Sequence, residues 1–177
     1  IPRFEFETRT SIPNDRTLSL ASDEVALIEG IHSFNPVIMG DLAHAATSVY
    51  LSVASTVVPR EGPRLEPYML RFLRRAMRDS LFRSSPVAET LHQWNSVRRG
   101  ETLYIAPYRG QANLTIDTFL PYELCIFMQY LSDELKNRKN ELEAADLYPI
   151  YKVLDRIAPI DYKKVIPEDS VLHEFIG

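Results

Sequence analysis

Five residues in the C-terminal half have the types that a two-metal hydrolase or nuclease needs. Asp117, Glu123, Asp133 and Glu134 supply hard oxygen donors, and Lys136 an ammonium able to steady an attacking water. Their placement argues against that use, because Asp133, Glu134 and Lys136 fall on a run with the charge pattern of a solvated helix face. Asp41 and His44 stand three apart within an expected helix, so a carboxylate could orient an imidazole as base or metal ligand; a satisfied polar contact is the commoner outcome. The histidines His32, His44, His92 and His173 lack zinc-ligand spacing, and the lone Cys125 cannot complete a site. There is no glycine-rich phosphate loop, nucleophile elbow or His-Glu-x-x-His. No catalytic residue, metal ligand or cofactor is expected.

A second constellation is basic. The stretch Arg71 to Arg83, RFLRRAMRDSLFR, sets five arginines against one aspartate in a chain of net charge -4. At helical spacing Arg71, Arg74, Arg75 and Arg78 share a face about 100° wide, with Phe82 inside it and Phe72, Leu73, Ala76 and Met77 opposite. Arg98, Arg99 and Arg109 continue the basic block, with Tyr104 and Tyr108 nearby as candidate interface aromatics. Residues 60 to 109 hold ten arginines against five acids, whereas 1 to 59 hold three against seven and 110 to 177 hold seven basic residues against twelve acids. Such a face suits RNA, through guanidinium grip on phosphate and an aromatic able to stack a base. Pairing with the acids of this chain or of a neighbouring copy is the commoner use of such a face.

The elements that position these groups follow from periodicity. Phe4 and Phe6 alternate with Arg3, Glu5 and Glu7 as in a half-buried edge strand. Ser22 with Asp23 and Glu24 predicts a short helix ending near Gly30, and Asn35-Pro36 a long, charge-poor one from about Pro36 to Val58. Amphipathic helices are expected over about Pro67 to Arg83 and from Val87 to about Val97, the latter stopping at Gly100. Alternating Leu103 and Ile105, then Leu114 and Ile116, predict a hairpin over about 102–119 that carries Tyr104, Tyr108 and Arg109. One helix should run from Pro121 to around Ala145, ending in a protruding charged segment. Pro149, Pro159 and Pro167 then permit only short helices in a tail over about 146–177, with Tyr148, Tyr151, Leu154 and Ile157 as docking residues. The expected fold is mainly α, an irregular bundle of about five or six helices in one domain over 1–177, with the hairpin and the N-terminal strand as its β elements.

A chain of 177 residues with 45% hydrophobic and 25% charged content can bury a sizeable core, which excludes a disordered or collagen-like class. One cysteine permits no internal disulfide, and IPRFEFETRT has neither the basic nor the apolar region of a signal peptide. The longest uncharged run, Leu42 to Val58, is too short and polar for a membrane span. An intracellular, cytoplasmic protein that is not secreted is expected. The function expected is non-enzymatic: an assembly or interaction protein that forms homo-oligomers or binds a protein partner through complementary acidic and basic surfaces. RNA contact through the arginine helix, including a structural role in a virus, fits the same residues. The alternative is the metal-dependent hydrolase or nuclease above.

Overall fold

The computed structural model of the protein describes residues 2–5, 8, 10–13, 15–40, 45–161 and 166–177, and the chain divides into two compact units, Ile1–Ser33 and Phe34–Gly177. In the first unit β1 (Arg3–Glu5) pairs antiparallel with β2 (Thr10–Ile12), Phe4 lying opposite Ser11. The helix expected over 22–30 does not form. Its apolar residues Val25, Leu27 and Ile28 are exposed, and a helix this short needs a packed face to persist in water.

The second unit is mainly α, as expected: the described residues hold seven α-helices, all of them in this unit, and two small two-stranded sheets, one in each unit. α1 covers only Pro36–Met39; Asn35 accepts from the Val37 N–H, and Gly40, at φ 50° and ψ -133°, stops it in a conformation that disfavours side chains. The long helix expected to Val58 is therefore corrected: β3 (Val49–Ser52) is a strand, suited to the β-branched and aromatic residues of VYLS.

α2 (Pro67–Phe82) begins on a proline preset in φ and buries Met69, Leu70, Phe72, Leu73, Ala76 and Met77. α3 (Val87–Tyr104) does not stop at Gly100, since one helical glycine costs only about 1 kcal/mol relative to alanine; Pro107 lies beyond its end. The hairpin over 102–119 is thus replaced by the end of α3, a 3-10 turn over Ala106–Gln111, and β4 (Leu114–Asp117). Two alternating residues, Leu103 and Ile105, are too few to separate a strand from a helix. β4 pairs in parallel with β3, Val49 opposite Leu114 and Leu51 opposite Ile116, so α2 and α3 lie within the crossover connection.

The helix expected to be continuous from 121 to 145 breaks into α4 (Glu123–Lys136) and α5 (Lys139–Ala144). The Asn137 side-chain amide donates to the Asp133 carbonyl, and Arg138 leaves the helical region at φ -121° and ψ 34°. The break turns Leu142 and Ala145 into the core, so this end does not protrude. α6 (Tyr148–Val153) and α7 (His173–Ile176) add Ile150, Val153, Phe175 and Ile176 to that core; Leu154 is buried beside them, and Tyr148, Tyr151 and Ile157 are half-buried. Trp94 is a core residue, packed edge-on against Phe72 at 5.4 Å. No helix among the described residues is long and apolar enough to cross a membrane.

One polar contact crosses this core. Arg74, on the apolar flank of α2, donates from Nε to Glu123 Oε2 at 2.6 Å, from one terminal nitrogen to Thr118 Oγ1 at 2.9 Å, and from the other to the Thr118 carbonyl at 2.6 Å. Glu123 is wholly buried; burial pushes its carboxyl up from the ordinary value, and Arg74 opposes the rise. Arg74→Met or Glu123→Leu alone should each destabilise the fold by about 3–5 kcal/mol, because the partner is left as an unpaired buried charge. The double variant should lose clearly less than the sum, read as chemical denaturation midpoints in a double-mutant cycle.

Candidate interaction surface

α2 delivers its arginines as one stripe, but most of the stripe is used within the chain. Beside the buried Arg74, Arg71 approaches Glu101 at 3.4 Å, and Arg78 reaches Glu174 at 3.5 Å and Asp79 at 4.0 Å. Asp79 is a buried carboxylate shared by Arg75 and Arg83, each at 3.1 Å, with the Thr90 hydroxyl at 3.5 Å. Burial lowers the proton affinity of Arg78, and Arg83 and Arg75 add repulsion that Asp79 and Glu174 offset. Phe82 is exposed at the end of the stripe.

The remaining candidates scatter. Arg98 pairs with Asp146 at 2.9 Å and lies 3.8 Å from the Tyr68 ring centroid, while the Tyr68 hydroxyl donates to Asp146 at 3.0 Å. Burial, and then that hydrogen bond, raise the Tyr68 hydroxyl above its ordinary value. Arg99 is exposed on α3, and Arg109 is exposed in the 3-10 turn, 5.3 Å from the Tyr50 ring centroid; neither has an acid partner among the described residues. Tyr104 is exposed at the end of α3 and Tyr108 half-buried in the turn, not on a shared hairpin face.

The metal-type carboxylates are engaged separately, except Asp133, which is exposed on α4. Asp117 accepts from Ser55 Oγ at 2.6 Å and from the Ala54 and Phe119 N–H groups; burial opposes, but these bonds hold its carboxyl below the ordinary value. Glu123 is held by Arg74, Glu134 by Arg138, and Lys136 by Asp155 at 2.7 Å. Among the described residues no three His, Cys, Asp or Glu side chains gather to hold a metal ion. Asp41 and His44 lie outside the described residues.

A surface not foreseen from the residue types lies on the small parallel sheet. Val49, Leu51, Leu114 and Ile116 share its outward face, all at 40% exposure or more. The alternation of Val49 and Leu51 with Tyr50 and Ser52 was the available signal, obscured by reading that segment as helix. Among the described residues each strand of this sheet pairs on one side only. No family model matches this chain, and the comparisons with curated proteins and with solved structures find no match.

The shared Asp79 yields a direct expectation. Asp79→Asn leaves Arg75, Arg78 and Arg83 crowded without their common counter-charge and should cost about 3 kcal/mol. Part of the loss should return as added salt screens the repulsion, measured as urea midpoints at low and high ionic strength.

Proposed function

We propose that this chain is a non-enzymatic assembly protein that associates with further copies of itself through the outward strip of β3 and β4. The observation that carries the reading is the exposed apolar face of a parallel sheet, Val49 and Leu51 beside Leu114 and Ile116. Parallel strands are ordinarily covered on both faces, and a rimmed apolar patch marks a contact surface. An apolar strip is also self-complementary, as a two-fold interface requires.

Magnitudes set the strength of the contact. A half-exposed aliphatic side chain gains about 1 kcal/mol on burial, so a symmetric pair of strips supplies about 8 kcal/mol against an association cost of about 4–15 kcal/mol. The strip alone supports a weak, concentration-dependent oligomer. Val25, Leu27, Ile28 and Ile31, exposed in the first unit, offer further apolar surface.

A second contact, with RNA, is favoured by Arg99 and Arg109, which keep their guanidinium groups free of carboxylate partners among the described residues. The RNA reading thereby moves from α2, whose arginines are engaged, to these two positions.

Sedimentation velocity over a wide concentration range should give a wild-type weight-average mass that rises with concentration. Leu51→Asp with Ile116→Asp should sediment as a monomer with unchanged circular dichroism. A wild-type monomer at every concentration and salt rejects the assembly reading. For RNA, Arg99→Glu with Arg109→Glu should flatten the dependence of log affinity on log salt by about 1–2, and Arg75→Gln should leave it unchanged. Equal slopes for all three proteins reject the RNA contact.

A further inference from the structure

β3 has a second face. Tyr50 and Ser52 alternate to the side opposite the apolar strip and line a cavity of about 300 Å³ together with Arg71 and Arg109. Neither guanidinium is saturated there. Arg71 makes two long contacts through its terminal nitrogens, to Glu101 and to Ser52 Oγ, both at 3.4 Å. Arg109 has the Tyr50 ring beside it and no carboxylate among the described residues. Arg109, without a carboxylate partner, and Arg71, held only by long contacts, line one cavity and can receive a planar oxyanion, which the guanidinium fork matches bidentately.

We propose that this cavity binds a singly charged carboxylate carried on a small apolar or aromatic body. Charge selects the monoanion. Glu66 and Glu101 also line the cavity, the first accepting from Thr56 Oγ1 at 3.2 Å and the second paired with Arg71. The wall is therefore formally neutral, so a monoanion adds one uncompensated negative charge and a dianion such as phosphate adds two. The body of the ligand is set by the rest of the lining, where Val53, Pro67 and Ala106 and the rings of Tyr50 and Tyr68 offer apolar area. A volume of about 300 Å³ accommodates an aromatic acid or the glutamate side chain of a short apolar peptide, and the two share one binding chemistry. This site does not depend on the outward strip; it shares Arg109 with the proposed RNA contact, from which the Glu66→Gln arm of the test below distinguishes it.

The test is a titration of isotopically labelled protein followed by NMR, with sodium benzoate, the blocked tripeptide acetyl-Leu-Glu-Leu-amide, and inorganic phosphate at pH 8 as probes. At least one carboxylate probe should shift the amides of Ser52, Val53 and Ala106 saturably. Arg109→Gln, an exposed position whose replacement leaves the core intact, should weaken that binding by about tenfold or more, the worth of a charge-assisted hydrogen bond. Glu66→Gln should tighten it, a gain that a damaged fold would not produce. Tighter binding of the peptide assigns the carboxylate to a protein partner, and tighter binding of benzoate assigns it to a free acid. The inference is overturned if neither carboxylate gives saturable shifts at these amides, if Arg109→Gln leaves the affinity unchanged, or if phosphate binds more tightly than both.

Discussion

The Arg74–Glu123 pair is the polar tie within the core that α2, α4 and α7 share. From α2, Arg74 reaches the first residue of α4 and both the hydroxyl and the carbonyl of Thr118, just beyond β4. Its guanidinium also lies 5.1 Å from the Phe175 ring centroid on α7. Glu123 completes the arrangement by accepting the Leu120 N–H at 3.3 Å. Desolvating two such ions costs several kcal/mol each, recovered only where geometry is good and the remaining donors are satisfied. Nε and both terminal nitrogens of Arg74 are engaged here, so its net worth lies less in energy than in fixing where β4 ends and α4 begins. A lysine, with one compact ammonium, could not make the three bonds in this forked geometry.

The same logic explains the rest of the α2 stripe. Asp79 sits on the buried edge of the helix, where one carboxylate holds Arg75 and Arg83 and lies close to Arg78, and Glu174 of α7 takes part of the surplus. Within the basic block over residues 60 to 109, Arg71, Arg74, Arg78 and Arg98 thus latch onto other elements, while Arg75 and Arg83 are held by Asp79 of α2. Four exposed arginines of the block, Arg60, Arg64, Arg99 and Arg109, have no acid partner among the described residues.

Legibility in the sequence tracked the length and regularity of each pattern. α2 was readable because six apolar residues repeat at helical spacing behind Pro67, and its arginine face followed from the same wheel. On that wheel Arg74 lies at the edge of the arginine face, with Arg78 on one side and Leu70 on the other, so its burial was latent there. The counter-charges were not legible, since Glu101, Glu123, Asp146 and Glu174 come from positions 30 to 96 residues away from their arginines or on other elements, and pairing of this kind depends on packing. The errors clustered where patterns were short. The charge-poor stretch from Pro36 to Val58 hid the four-residue strand Val49–Ser52, and Leu103 with Ile105 fit a strand, because so few residues fit either period. The break at Asn137 arose from a side-chain bond to Asp133 that helix propensity does not register.

The parallel sheet shows how a surface can be both unfinished and well defined. Val49 and Leu114 are far apart in sequence, so their pairing carries a loop-closure cost that four residue pairs barely offset. Both ends are clipped by side chains. The Ser48 N–H and hydroxyl each donate to Asn113 Oδ1 at 2.8 Å, and Asp117 gathers the Ala54 N–H and the Ser55 hydroxyl. Because these bonds depress the Asp117 carboxyl, its contribution is present above the ordinary carboxylate range and lost as pH falls through the depressed value. Clips of this kind do nothing to cover Val49, Leu51, Leu114 and Ile116; they hold those side chains in register while the face stays open. An apolar strip fixed in this way lowers the ordering cost of a partner that packs on it, which favours association over local rearrangement.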